Sequence, residues 1–262
     1  MLWATKGLRH GIITSRWPAH DDKYFRDFPS AVTVTGPSGD ADAVAAAAAA
    51  CPTRAITTRP TVSLDRGRCI LCGRCIRQAP NTFGWEPGSG VAEVNRRALI
   101  VGDTPDTDDA LSALRTALDQ RVRRLRRSVH IRHVDTGSDG SDEWEVAALT
   151  NPVYDVHRLG IFFTASPRHA DILLATGIGT SGMVEPLLRT LQAMPTPTVV
   201  IAAGTDAASG GLIGGGYTGG TGLGELLPVD VWVPGSPATP FSLMHAILLA
   251  LGRLPHRRQG ES

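Results

Sequence analysis

The four cysteines constrain this chain more than any other feature, because all of them fall between residues 51 and 75. Three form a C-x2-C-x2-C run at Cys69, Cys72 and Cys75, and the fourth, Cys51, is followed by a proline. Three thiolates on one tight loop can hold three corners of a [4Fe–4S] cluster, while a remote Cys-Pro supplies the fourth. The spacing therefore predicts one [4Fe–4S] cluster, with these four cysteines as its metal ligands and cofactor-binding residues.

A zinc ion held by the same four thiolates is the alternative. Cysteine-rich zinc sites usually present their ligands as two C-x2-C pairs. Here three ligands share a single run and the fourth belongs to a Cys-Pro, so the spacing favours the iron–sulfur cluster over zinc.

Cysteine usage and hydropathy also bear on the compartment. Three cysteines within seven residues are too close for separate disulfides, and the first 18 residues contain no apolar signal-peptide core. The longest apolar stretch, residues 241–251, is too short to span a bilayer. We expect a cytoplasmic chain that reaches the cytoplasmic face of the inner membrane only through partners. The net charge of +1 argues against a nucleic-acid partner.

The length of 262 residues suggests two modest domains. Residues 1–100 contain all the cysteines, short strand-like segments such as 31–35 and 91–94, and an alanine-rich helix at 45–50. Residues 101–142 are predicted to be a helix and a linker, and residues 256–262 a tail. The second domain is predicted to cover residues 143–255.

The second domain carries four apolar runs of strand length that alternate with helical segments. The runs are residues 160–164, 171–175, 198–202 and 229–233. Strands that are apolar on both faces indicate a parallel sheet covered by helices. We therefore predict an α/β domain of the flavodoxin-like type.

The positions at which a second cluster would need cysteines are also informative, because none of them is a cysteine. In a two-cluster arrangement, a second ligand set would occupy Ala41, Val44, Ala47 and Ala79, and Pro80 still follows the last of these. One cluster is thus missing as a unit, while the ligands of the other are complete.

With these positions, residues 7–95 resemble the ferredoxin-type domains of respiratory and hydrogenase complexes. Residues 11–18, GIITSRWP, and the run CPTRAI after the remote ligand strengthen the likeness. The resemblance implies an α+β ferredoxin-like N-terminal domain that retains one of two clusters.

A second resemblance covers residues 135–251. The segments 152–160, 166–171 and 228–237 are similar to the cluster-bearing small subunit of complex I and to the small subunits of energy-converting hydrogenases and formate hydrogenlyases. This likeness implies partnership with a hydrogenase-like or complex I-like large subunit and with membrane subunits.

The resembling family holds a cluster on four cysteines of this domain, and none of them is present here. Their positions correspond to Asp139, Asp142, Asp206 and Ser236. Oxygen ligands match a cubane poorly, so the family's terminal cluster is expected to be absent. The four side chains could instead form an oxygen-rich cation site, but we favour the interpretation that they are solvated loop residues.

We therefore expect an iron–sulfur electron-transfer subunit of a membrane-associated oxidoreductase related to complex I, formate hydrogenlyase and energy-converting hydrogenases, without catalytic residues of its own. One alternative is a structural or regulatory paralogue whose α/β domain only docks to a large subunit. Another is a nucleotide-dependent reductase, based on the G-x-G-x-x-G at residues 177–182.

Overall fold

The computed structural model describes residues 3–21, 27–36, 40–102, 108–123, 125 and 128–254, and the predicted tail at 256–262 lies outside them. Up to residue 102, two small antiparallel sheets pack with helices. The elements are α1 (Trp3–His10), β1 (Pro29–Val34), α2 (Ala41–Ala49), β2 (Ile56–Thr57), β3 (Ser63–Asp65), α3 (Arg74–Gln78), β4 (Phe83–Pro87) and β5 (Ile100–Val101). Strand β1 pairs with β4, and β3 pairs with both β2 and β5.

Helix α2 shows how local sequence starts and stops an element that carries a ligand. Asp40 caps it by accepting a 3.0 Å hydrogen bond from the backbone N–H of Asp42. The run that follows consists largely of alanine, the residue with the highest helix propensity. Pro52 prevents the helix from continuing. Cys51 therefore lies at a fixed place, immediately after the helix end.

The second part of the chain forms a five-stranded, fully parallel sheet in the order β7-β6-β8-β9-β10. Its strands are β6 (Val129–Asp135), β7 (Ile161–Phe163), β8 (Ile172–Thr176), β9 (Val199–Ala203) and β10 (Val231–Val233). The helices are α4 (Asp108–Arg121), α5 (Ser141–Ala148), α6 (Ser181–Gln192), α7 (Gly204–Ser209) and α8 (Pro240–Ala250). Every residue of β8 and β9 is buried, as expected for central parallel strands.

The predicted parallel α/β sheet is confirmed, and its strand order is the 2-1-3-4-5 order of flavodoxin-like folds. In such sheets the order reverses between the first and third strands, here β6 and β8. Ligands bind outside the carboxyl ends of the strands at this switch point.

Two details of the sequence-based prediction need correction. The boundary at residue 143 excludes β6, which pairs with β7 and β8 in the middle of the sheet, so the α/β domain begins at Val129. The predicted strand at 91–94 is a loop with a single bridge, in which Glu93 pairs with Trp232 of β10. That bridge ties the first domain to the edge of the parallel sheet.

Arg96 forms a second tie between the two domains. Its Nη1 and Nη2 donate to the Asp65 carboxylate at 2.7 and 2.9 Å, and its Nε donates to the Ala208 carbonyl at 3.0 Å. Such bidentate pairs are strong because charge assistance and fixed geometry combine. Among the residues described, no helix has both the length and the apolar character needed to cross a bilayer.

Arg96→Met should lower the free energy of unfolding by about 1–3 kcal/mol, because it removes two charge-assisted hydrogen bonds to Asp65 and the one to the Ala208 carbonyl. Urea denaturation followed by tryptophan fluorescence measures this change. Arg97→Met, at an exposed neighbouring position, is the matched control. Equal unfolding midpoints for the two variants would show that the Arg96 contacts do not stabilise the fold.

Candidate functional site

The four cysteines predicted as ligands meet around one cavity. It has a volume of about 350 Å³, including its opening to solvent, and all four side chains line it. None is in a disulfide; Cys69 and Cys75 are buried, Cys51 is half-buried and Cys72 is exposed. The fold therefore brings together Cys51 from the end of α2 and the three cysteines of the loop before and within α3.

The backbone around these cysteines adopts conformations that turn N–H groups toward sulfur. Leu71 and Arg54 have positive φ values of 55° and 54°, and Gly73 has a φ of 67°. Positive φ is uncommon for residues other than glycine, and it concentrates at functional sites. The Ala55 N–H donates to Cys51 Sγ at 3.3 Å. Backbone N–H groups arranged in this way surround many anionic and iron–sulfur groups.

Burial favours the neutral thiol form of Cys69 and Cys75. Burial raises the pKa of Cys69 to about 12, against a backbone hydrogen bond from Leu71 that lowers it. Burial also raises the pKa of Cys75, again opposed by a backbone hydrogen bond, from Ile76. Metal binding requires thiolates, and the positive charge of a bound metal stabilises them.

Within the described ranges, no three His, Cys, Asp or Glu side chains converge closely enough to hold one metal ion. The four cysteines nevertheless line the same cavity.

A second set of polar side chains lies at the carboxyl edge of the parallel sheet. Asp142, in the first turn of α5, is buried, and its Oδ1 accepts a 2.8 Å hydrogen bond from the Ala238 N–H. Its other oxygen lies against Gly204, where a β-carbon would be only 1.9 Å from Oδ2. Gly204 also has a φ of +93°, so both space and backbone conformation require glycine there.

Burial changes the protonation of this edge. It raises the pKa of Asp142 to about 8, with the Ala238 N–H opposing the shift and Glu143 and Asp206 adding to it. Burial likewise raises the pKa of Asp206 to about 6, with Asp139 and Glu143 adding to the shift. At neutral pH, Asp142 is therefore mostly a neutral carboxylic acid that has no need of a counter-ion.

The four positions aligned with the family's cluster cysteines thus differ in environment. Asp139 and Ser236 are exposed, Asp206 is half-buried and Asp142 is buried. Hydrogen bonds from Ser141 lower the pKa of Asp139. The solvated-loop interpretation is right for Asp139 and Ser236 but wrong for Asp142. Among the described residues, no set of three or more carboxylates is arranged to hold a cation.

Sequence reasoning missed Glu143, which lies beside these residues. Its Oε2 accepts a 2.7 Å hydrogen bond from Ser138 Oγ, and its Oε1 accepts one from Thr176 Oγ1. Thr176 Oγ1 is also 3.0 Å from His133 Nε2, and burial lowers the pKa of His133. The sequence offered one clue to this group of residues: His133 and Thr176 lie near the carboxyl ends of strands β6 and β8, the edge at which ligands bind in such sheets.

The G-x-G-x-x-G turn is already occupied by internal hydrogen bonds. The N–H groups of Ile178, Gly179 and Thr180 donate to the loop at residues 136–137, at 2.9, 3.0 and 2.8 Å respectively. The Ser181 N–H donates to the Thr218 carbonyl at 2.9 Å. A pyrophosphate would need these same donors. The geometry therefore gives no support to the nucleotide-dependent alternative.

The two sites are in direct contact. Thr205, at the start of α7, donates its hydroxyl to the Cys69 carbonyl at 3.1 Å. Cys69 and Leu71 also line a small cavity together with Pro234 and Gly235 of the loop after β10. The cysteine loop is thus seated on the same sheet edge that carries Asp142 and Asp206.

Comparison with known proteins gives one consistent group of relatives. Residues 140–250 match the family described as NADH ubiquinone oxidoreductase, 20 Kd subunit. Formate hydrogenlyase subunit 7 of Escherichia coli is 36% identical over 150 residues, which cover 57% of this chain and 58% of that protein. The chain therefore spans less than two thirds of the length of this relative.

Two further proteins are similar to this chain. The Pyrococcus furiosus protein described as "Probable membrane-bound hydrogenase subunit mbhJ" is 36% identical over 151 residues, which cover 56% of this chain and 90% of that protein. A chain in the structure of the membrane-bound sulfane sulfur reductase, an archaeal respiratory membrane complex, is 28% identical. It matches with a TM-score of 0.45 over 50% of this chain and 74% of that chain.

Asp142 should make stability fall as the pH rises from 6 to 8. Its pKa in the folded state, about 8, lies above its ordinary value of 3.8, so the folded state holds a proton that the unfolded chain releases. The stabilisation is complete below pH 4 and decreases by about 1.4 kcal/mol per pH unit up to the folded pKa. Asp142→Asn keeps an acceptor for Ala238 and removes this contribution.

Urea unfolding of the wild type and of Asp142→Asn at pH 6, 7 and 8 measures the difference. The variant should lose less stability over this range, whereas Asp109→Asn, at an exposed position of α4, should follow the wild type. Parallel pH profiles for the wild type and Asp142→Asn would contradict a proton held at Asp142.

Proposed function

Because the chain belongs to the family of the NADH ubiquinone oxidoreductase 20 kDa subunit, we propose that it is an electron-transfer subunit of a membrane-associated oxidoreductase complex. In this proposal it carries one [4Fe–4S] cluster on Cys51, Cys69, Cys72 and Cys75. The observation that carries the proposal is that four cysteines with ligand spacing line one cavity. Relatives named as subunits of a formate hydrogenlyase and a membrane-bound hydrogenase support the class of complex.

The residues around the cavity fit such a cluster. A bound [4Fe–4S] cluster supplies one-electron transfer, with a potential set by the hydrogen bonds to its sulfurs and by its exposure. This chain contributes four thiol ligands, the N–H of Ala55 directed at Cys51 Sγ, and the left-handed turns at Leu71 and Gly73. Burial of Cys69 and Cys75 limits water access on one side.

The fold of the first domain supports its assignment to the ferredoxin type. From β1 to β4 the order is β-α-β-β-α-β, with the outer strands paired together and the inner strands paired together. Val44, Ala47 and Ala79, three of the four positions expected for a second cluster, are buried in the apolar core. Small side chains pack where the second cluster would lie, which supports a single-cluster domain.

We further propose that the second domain carries no cluster of its own. Carboxylates and hydroxyls are hard ligands that suit an iron–sulfur cubane poorly, and Asp142 is mostly a neutral acid. Electrons would then enter and leave through the first domain. The α/β domain would serve to dock the chain to a large subunit.

Exposed apolar side chains near the N-terminus support attachment to other subunits. Trp3, Leu8 and Ile12 are 86%, 85% and 84% exposed. Thr14 and Ser15 fasten the following segment to the α/β domain by hydrogen bonds to the carbonyls of Pro152 and Val153. Large exposed apolar side chains that precede an anchored segment are suited to contact with another subunit. We assign this arm to contact with the membrane subunits.

A structural or regulatory paralogue remains the second candidate, favoured by the oxygen side chains at Asp139, Asp142, Asp206 and Ser236. In that case the cluster would bind but would not change redox state during turnover of the complex. Electron paramagnetic resonance of the complex, frozen during turnover, distinguishes the two. A reduced-cluster signal supports electron transfer, and a constant oxidised cluster supports the structural role.

Protein purified without oxygen should be brown and should contain about four iron and four sulfide per chain. Cys51→Ala should lose most of both, because it removes the remote ligand while leaving the three-cysteine loop intact. Thr58→Ala, at an exposed position on the same segment, is the control and should keep its iron. A colourless protein with one zinc per chain would overturn the cluster assignment.

Gentle detergent extraction of the native host, with a C-terminal affinity tag on this chain, tests the proposed partners. A hydrogenase-like or complex I-like large subunit and membrane subunits should co-purify. Removing residues 1–10 should reduce recovery of the membrane subunits while leaving the large subunit bound. Recovery of this chain alone from both the membrane and the supernatant fractions would contradict membership of a complex.

A further inference from the structure

The cysteine cavity has a sheltered side and an open side. Cys69 faces the α/β domain, because its carbonyl accepts from Thr205 and its side chain is buried. Cys72 is the one exposed member of the four. The side of Cys72 is therefore the most accessible one for a redox protein.

The chain around the cysteines is strongly basic. Residues 51–80 contain six arginines and a single acidic residue, Asp65. The carboxylate of Asp65 is bound by both Nη1 and Nη2 of Arg96, so its charge is already compensated. The whole chain, in contrast, is nearly neutral, with a net charge of +1. The cysteine segment is therefore one of two basic regions of the chain, the other being residues 121–127, which contain five arginines and no acidic residue.

Three of these arginines form what we call the basic rim: Arg54, Arg74 and Arg77. All three are exposed. Arg74 lines the cysteine cavity, Arg77 Nη1 lies 3.4 Å from the Cys72 carbonyl, and Arg54 follows Cys51 by three residues. Among the residues that the structure describes, no carboxylate forms an ion pair with any of them.

An exposed aromatic ring lies near Arg77 of this rim, since both border Gly73. Trp85 is 42% exposed and packs against Gly73, where a β-carbon would be 3.0 Å from the ring. An exposed aromatic residue beside polar and charged residues is a common composition for a small interface. Electron-transfer encounters use small interfaces of this kind.

We propose that the basic rim and Trp85 form the docking surface for an acidic one-electron carrier protein, which exchanges its electron at Cys72. The inference rests on the proposed function, because it requires a cluster at the four cysteines. One electron passes between carrier and cluster, so one of the two is oxidised as the other is reduced, and no further reactant is needed. Unpaired arginines attract an acidic protein from a distance and orient it before contact.

The test uses an acidic plant-type [2Fe–2S] ferredoxin as the probe and the cluster-containing full chain. Isothermal titration calorimetry with the oxidised ferredoxin at about 10 mM salt measures binding without depending on the potentials. Arg74→Gln/Arg77→Gln should weaken binding about tenfold and lower the second-order rate constant of electron transfer by a similar factor. Both quantities should also fall steeply for the wild type at about 0.15 M salt, where charges are screened beyond about 8 Å.

The matched control is Arg123→Gln/Arg189→Gln, which removes two exposed arginines elsewhere on the chain. It should bind and react as the wild type does. Equal losses in the two double variants, or no loss in either, would overturn the docking surface. Tighter binding of a 20-base single-stranded DNA than of ferredoxin to the wild type, lost in Arg74→Gln/Arg77→Gln, would also overturn it in favour of a nucleic-acid surface.

Photoreduction with 5-deazaflavin separates failure of this inference from failure of the proposed function. If the deazaflavin reduces a cluster but the ferredoxin reaction ignores salt and the arginine variants, the docking surface is wrong and the cluster assignment stands. If no cluster is present to be reduced, the proposed function itself is wrong.

Discussion

The contact between the cysteine loop and the carboxyl edge of the parallel sheet is the constraint on which the rest of the molecule depends. Thr205 donates to the Cys69 carbonyl, and Arg96 joins Asp65 to the carbonyl of Ala208 in the same helix, α7. Both contacts involve residues within α7, which begins directly after the buried strand β9. Because β9 is fixed on both sides by parallel pairing, the cysteine loop has one position relative to the sheet.

This constraint explains why a buried carboxyl group is tolerated at the same edge. Asp142 has one oxygen bonded to the Ala238 N–H and the other against Gly204, so there is room for a carboxyl group but little for water. A buried carboxylate without a cation is costly, and protonation removes most of that cost. The edge is therefore held together by hydrogen bonds from neutral or partly protonated groups rather than by metal–thiolate bonds.

The sequence predicted much of this architecture, because the relevant signals are local. Buried parallel strands are visible in the sequence as apolar runs. Three of the cysteines share one short run, and the fourth, Cys51, follows a helix whose end is set by Pro52. The strand β6 was missed because its apolar residues alternate with His130 and Arg132 and follow the arginine-rich residues 121–127. The burial of Asp142 was also missed, since it depends on Gly204 and Ala238, which are far away in sequence.

The two sides of the cysteine cavity differ in their surroundings. On the sheltered side, the loop touches a domain whose own ligand positions hold Asp and Ser, so that side offers no soft ligands for a second cluster. On the open side, Cys72 and Trp85 face solvent among arginines without carboxylate partners within the described residues. If one cluster must both receive and donate electrons, both exchanges have to use the same exposed edge or occur in turn. A partner bound through charge suits this requirement, because salt-sensitive encounters are weak enough for one carrier to leave before the next arrives.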